Sequence, residues 1–175
     1  MKILIQLLVF SLILTGFQGA ASGQQSFEVN EAAKAEVSRL SFLEGKWKGS
    51  GWMIAQDQKR YTFEQEENIQ VKLGGTAVLI EGLGTSDGKV IHNALALITD
   101  AEGEGEGKFD FTSFLQNGRK GTFKAELIGE KLYWFPSEQV RYIIEIKENG
   151  QWFETGEYNA GGNWVKFFEM TLSKL

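Results

Sequence analysis

The 175-residue sequence has no cysteine, a single proline and a single histidine. Without cysteine there can be no disulfide, no thiolate nucleophile, no cysteine-ligated zinc and no lipid on a processed N-terminal cysteine. With His92 as the lone imidazole, a metal centre built from several histidines is excluded. A Ser-His-Asp arrangement would have to use this residue, and no serine stands out as its nucleophile. Basic residues are scattered: 18 Lys and Arg against 23 Asp and Glu give a net charge of −5. An acidic chain without a basic stretch lacks the clustered cations that phosphate contacts need, so no nucleic-acid partner is expected. Long apolar runs are also scarce. The one at residues 3–17 follows Met1 and Lys2, precedes the small residues Gly19 to Gly23, and falls short of the roughly 20 residues of a membrane span. It reads as a secretory signal peptide over 1–21, which implies soluble export to the periplasm or beyond and no stable membrane anchor. Cleavage after Ala20, Ala21 or Gly23 fits equally.

The remaining roughly 150 residues suit one domain, 22–175, with a sizeable core. Hydrophobic residues make up 42% and aromatics 13%, and 21 glycines stand against the lone proline, a strand-and-turn composition. Val29, Ala33, Val37 and Leu40 recur at helical spacing after a capping Asn30, which predicts one amphipathic helix of about three turns within 30–43. Its apolar end, with Phe42 and Leu43, should press on the rest of the fold or plug its end. From Gly45 onward, turn signals such as Asp87-Gly88, Asn117-Gly118 and Gly161-Gly162 separate about ten candidate strands. An open meander of ten strands would leave two long bare edges. Closure removes them, so an all-β, antiparallel up-and-down barrel is predicted.

Strand parity then selects the lining. Tyr61, Phe63, Gln65, Glu67, Ile69 and Val71 share one face. Phe109, Phe111, Ser113 and Leu115 follow, then Phe123, Ala125 and Leu127, then Tyr142, Ile144 and Ile146, and last Trp164, Phe168, Met170 and Leu172. Trp47, with Gly45, Gly49 and Gly51 at the same parity, opens the first strand, and Trp52 at the opposite parity is expected against the helix. Trp47, Trp134, Trp152 and Trp164 are expected as plugs and end closures. Residues 76–84 and 90–98 are apolar on both faces, so their outer side calls for cover by the helix or by another subunit. The acidic and glycine-rich stretch from Glu102 to Gly107 reads as a solvated hairpin tip, because it lacks the donor set of a calcium loop.

The opening of the first strand, Phe42 to Gly51 (FLEGKWKGSG), resembles the Gly-x-Trp start of lipocalins. It is closer to an uncharacterised bacterial lipocalin-like (calycin-type) family of secreted barrels, and to the nitrobindin-like barrels beyond it. Ile80 to Gly82 (IEG), Gly88 to Leu95 (GKVIHNAL) and Trp164 to Leu172 (WVKFFEMTL) carry the same likeness. The resemblance implies a ten-stranded barrel from about residue 40 on, and says little about function. Nitrobindin-like proteins hold haem iron through a histidine close to the end of the barrel sequence. Here the sole histidine, His92, falls in the fourth strand, so that ligand does not carry over and no cofactor is expected.

The expected function is therefore non-catalytic binding of a small apolar molecule inside the barrel, with Trp47, Tyr61, Phe63, Glu67, His92, Phe111, Tyr142 and Phe168 as candidate ligand-binding residues. No catalytic or metal-binding residue is assigned. Two alternatives stand beside this. His92 with Glu67 or Glu81 could transfer protons on a bound substrate, or the doubly apolar strands could serve a structural or partner-binding role in the envelope, a homodimer included.

Overall fold

The computed structural model describes residues 27–175. The expected signal peptide, 1–21, lies outside them. Helix α1, Glu31–Ser38, is capped by Asn30, whose side chain accepts from the N–H groups of Ala32 and Ala33 at 3.1 Å each. It is shorter than predicted, because the chain tightens into a 3-10 turn at Ser41–Leu43.

Ten strands follow: β1 Gly45–Ile54, β2 Arg60–Lys72, β3 Ala77–Ser86, β4 Lys89–Asp100, β5 Lys108–Leu115, β6 Lys120–Ile128, β7 Lys131–Ser137, β8 Val140–Ile146, β9 Trp152–Ala160 and β10 Asn163–Lys174. Each pairs antiparallel with the next, and β1 pairs with β10, so the sheet is a closed barrel of sequential hairpins. The β3–β4 hairpin turns on Asp87 and Gly88, with φ of 49° and 71°, the pair of positive values a type I′ turn demands. At the β1–β10 seam the backbones come so close that a methyl group on Gly49 would run into the carbonyl of Thr171.

One end of the barrel is shut. Val37 of α1 and the adjoining Leu40 and Leu43 are fully buried against Trp47, Ile69, Val78, Ile98, Phe109, Leu132, Trp152 and Leu172, all at most 2% exposed. The helix acts as the end plug anticipated from its apolar stripe. Trp47 pins it: the indole N–H donates to the Leu43 carbonyl at 2.9 Å, and its ring meets Trp152 edge-on at 5.8 Å. The loop at 101–107 is fastened beneath, with Gly107 N–H donating to Glu36 at 2.9 Å and Arg39 pairing with Glu106 at 2.8 Å.

Three expectations are corrected. Trp164 is on the outside, stacked under the Arg141 guanidinium at 4.0 Å, because a bulge between Lys166 and Phe168 reverses the parity of the first part of β10. Trp52 lies away from the helix, beneath Arg60 and donating to Glu169 at 3.3 Å. The outer face of β3 and β4 is not covered along its length, since α1 closes the end instead of lying on the wall. Leu83, Val90, Ile91 and Leu95, with Phe114 next to them on β5, remain exposed.

Candidate functional site

The half of the barrel away from α1 is built differently. Inward residues there are Gln65 and Glu67 on β2, Gly82 and Gly84 on β3, Ala94 and Ala96 on β4, Phe111 on β5, Trp134 on β7, Tyr142 on β8, Glu154 on β9 and Phe168 with Met170 on β10. Phe63, Gln65, Ala96, Phe111, Met170 and Glu154 keep 4–7% of their surface and Glu67 9%. The plugged end keeps almost none. These inward residues thus keep slightly more surface than those of the plugged end, although Glu67 Oε2 itself is buried.

The two walls of this lumen differ in kind. On one side Phe111, Trp134 and Tyr142 form a continuous stack, with centroids 4.6 and 4.5 Å apart and planes within 5° and 9° of parallel. Phe168 meets the edge of Tyr142 at 5.5 Å and stacks with Phe63 at 5.5 Å, carrying the aromatic belt round to β2. Glycines make the room: a methyl on Gly156 would sit 2.8 Å from the Tyr142 ring, and one on Gly51 would sit 2.5 Å from the Phe63 ring. The opposite wall, β3 and β4, is glycine and alanine, and over it lie the polar groups of β2.

Those groups are buried. Gln65 donates from Nε2 to Glu67 Oε1 at 2.7 Å, whereas Glu67 Oε2 has no hydrogen-bond partner among the described residues. Loss of hydration pushes the Glu67 carboxyl up to about 8, with the Gln65 bond opposing and the nearby Glu154 adding to the rise. Burial likewise lifts Glu154 to about 7, although the indole N–H groups of Trp152, at 3.2 Å, and of Trp134 favour its charged form. Burial, and then the charge of Glu154, raise the Tyr142 hydroxyl. Two carboxyls thus face one interior, and no lysine or arginine among the described residues is buried.

The sequence candidates fall into three places. Phe63, Glu67, Phe111, Tyr142 and Phe168 line the open-half lumen. Trp47 belongs to the plugged end. Tyr61 and His92 are exposed at the mouth, Tyr61 turned back to Asp57 at 2.8 Å and His92 beside Gly84, where partial burial lowers its pKa. Glu81 faces outside, accepting from Asn68 at 2.8 Å, so it cannot join His92. Gln65 lies between His92 and Glu67, its amide over Gly84 and Gly82. Sequence reasoning did not name Glu154 or Trp134 for the lumen, although the alternation of Trp152, Glu154 and Gly156 was the available signal for the first. The stretch Gly84 to Gly88 has the Gly-x-Ser-x-Gly spacing of a nucleophile elbow, yet it forms a β-hairpin, and Ser86 donates to the Thr62 carbonyl at 2.8 Å. The described residues hold no group of three or more His, Asp or Glu arranged for a metal ion.

No protein-family model matches the chain, and no curated protein matches it either. Among solved structures, the crystal structure of Rv2717c from M. tuberculosis is similar, with a TM-score of 0.61 and 13% sequence identity over 80% of this chain and 97% of that one. That likeness is one of fold: this chain shares its barrel architecture with Rv2717c.

Proposed function

We propose that this protein is a non-catalytic binder of a small, mostly apolar molecule that enters the barrel at the end opposite α1. The observation that carries the reading is the two-sided lumen, an aromatic belt from Phe63 to Phe111 facing a glycine and alanine wall, with a few buried polar groups to orient a ligand. The reading includes no haem: the inward residues in the second half of β10 are Phe168, Met170 and Leu172, and none of them is a histidine. Titration with the neutral dye Nile red, followed by its blue-shifted emission and by quenching of tryptophan fluorescence, tests the proposal. Saturation at one dye per chain, reversed by an unlabelled apolar competitor, is expected. Non-saturable or absent binding by every apolar probe tried would end the reading.

We further propose that residues 1–21 direct export and are removed. N-terminal sequencing of the protein from the periplasmic or extracellular fraction should begin between Ala21 and Gln24. An intact Met1 in that fraction contradicts the assignment.

A second reading, a partner-binding or homodimeric role, is favoured by the exposed face formed by Leu83, Ile91, Leu95 and Phe114. Sedimentation of a strict monomer at high concentration counts against the homodimer.

A further inference from the structure

We propose that Glu67 and Glu154 together anchor the cationic nitrogen of a primary or secondary amine, whose flat apolar body lies against the aromatic belt of Phe63, Phe168, Tyr142, Trp134 and Phe111. The inference rests on the lumen-binding reading above and narrows its ligand class.

Glu67 is 9% exposed, and its Oε2 is left without a partner although Oε1 is fixed by Gln65. A buried carboxyl oxygen with no donor is costly, and none of the described residues supplies one. Glu154 faces the same interior and accepts from the Trp152 indole N–H at 3.2 Å, which fixes its direction without neutralising it. Every charged partner seen elsewhere in the barrel, such as Arg141 with Glu157 at 2.7 Å or Lys48 with Glu66 at 2.6 Å, sits on the outer surface. Among the described residues, then, two acids are buried in the interior and no lysine or arginine is. A protonated amine brings both the missing donors and the missing charge, and the π-rich ring of Tyr142 near Glu154 favours a cation over an anion. A carboxylate or phosphate ligand would meet repulsion at the same place. The other titratable groups on this wall are the hydroxyl of Tyr142 and, at the mouth, His92 and Tyr61.

The test compares 1-naphthylmethylamine with its neutral isostere 1-ethylnaphthalene, in which a methyl group replaces the ammonium, by isothermal titration calorimetry at pH 8. The amine is expected to bind about tenfold more tightly or better, a difference of about 1.4 kcal/mol. Its binding should also release protons, seen as a dependence of the heat on the ionisation enthalpy of the buffer, since an incoming cation ionises neutral carboxyls. Within Glu67→Gln and Glu154→Gln, each checked as folded by near-ultraviolet circular dichroism, the amine-to-hydrocarbon affinity ratio should fall toward one and the proton release should shrink. Equal affinity for the two probes, or a ratio preserved in both variants, overturns the amine assignment while leaving the lumen-binding reading in place. Absence of binding by both probes overturns the two together.

Discussion

The carboxyl of Glu67 lies directly over Gly82: a methyl group there would stand 2.9 Å from Oε1 and 3.0 Å from Oε2. Gly82→Ala is therefore expected to push the carboxyl off Gln65 and to lower stability by about 1 kcal/mol. In a Glu67→Ala background the same substitution should cost measurably less, because the group it collides with is gone. Urea unfolding of the four chains of this cycle measures the difference, and additive effects would show that the two residues are not in conflict.

The raised carboxyls set the pH dependence. An unfolded glutamate titrates near 4.5, whereas Glu154 titrates at about 7 and Glu67 at about 8 when folded. Between these values the folded chain binds more protons than the unfolded one, so stability that is complete below about 4.5 is lost as pH rises through 7 and 8. Glu145 and Glu169, whose carboxylates Lys131 and Lys166 hold below the ordinary value, act with the opposite sign toward acid pH. Glu67→Gln should match the parent near pH 5 and exceed it by about 1–3 kcal/mol at pH 9. Midpoints of urea unfolding across pH 5–9 check this, and parallel curves for the two proteins would contradict it.

Trp47 ties the helix end to the barrel by one hydrogen bond and one ring contact, which two substitutions separate. Trp47→Phe keeps a ring but loses the bond to the Leu43 carbonyl, and should cost on the order of 1–2 kcal/mol. Trp47→Ala empties the plugged end and should cost about 3–5 kcal/mol. Thermal melts followed by far-ultraviolet circular dichroism rank the two.

Trp134 is sandwiched between Phe111 and Tyr142, so its transitions are held in a fixed chiral array. Trp134→Leu should remove much of the near-ultraviolet circular dichroism while leaving the β-sheet signal, and it should weaken Nile red binding several-fold. Unchanged dye affinity would place the dye away from the belt.

The fold was largely legible because hairpin turns and period-2 alternation are local signals. Asn30, the strand count and the inward set on β2, β5 and β8 all follow from residues close in sequence. Trp164 was misplaced because a single extra residue in β10 reverses every side chain before it, and nothing in the local pattern marks the insertion. The outer face of β3 and β4 was misjudged for a related reason. An amphipathic helix announces that it has an apolar side, but whether that side covers a wall or closes an end depends on where the barrel axis runs. Within the site, Phe63 and Glu67 were visible from parity. That Glu67 and Glu154 share one interior was not, because β2 and β9 are separated round the barrel by β1 and β10.

Because β1 and β10 are each other's neighbours, the ring has no finished form until β10 pairs with β1. Hairpins assembled before that pairing keep two bare strand edges and an unsealed interior. Loss of Leu172, Ser173 and Lys174 removes the partners of Gly49, Lys48 and Trp47 together, so this one short run decides whether the ring shuts.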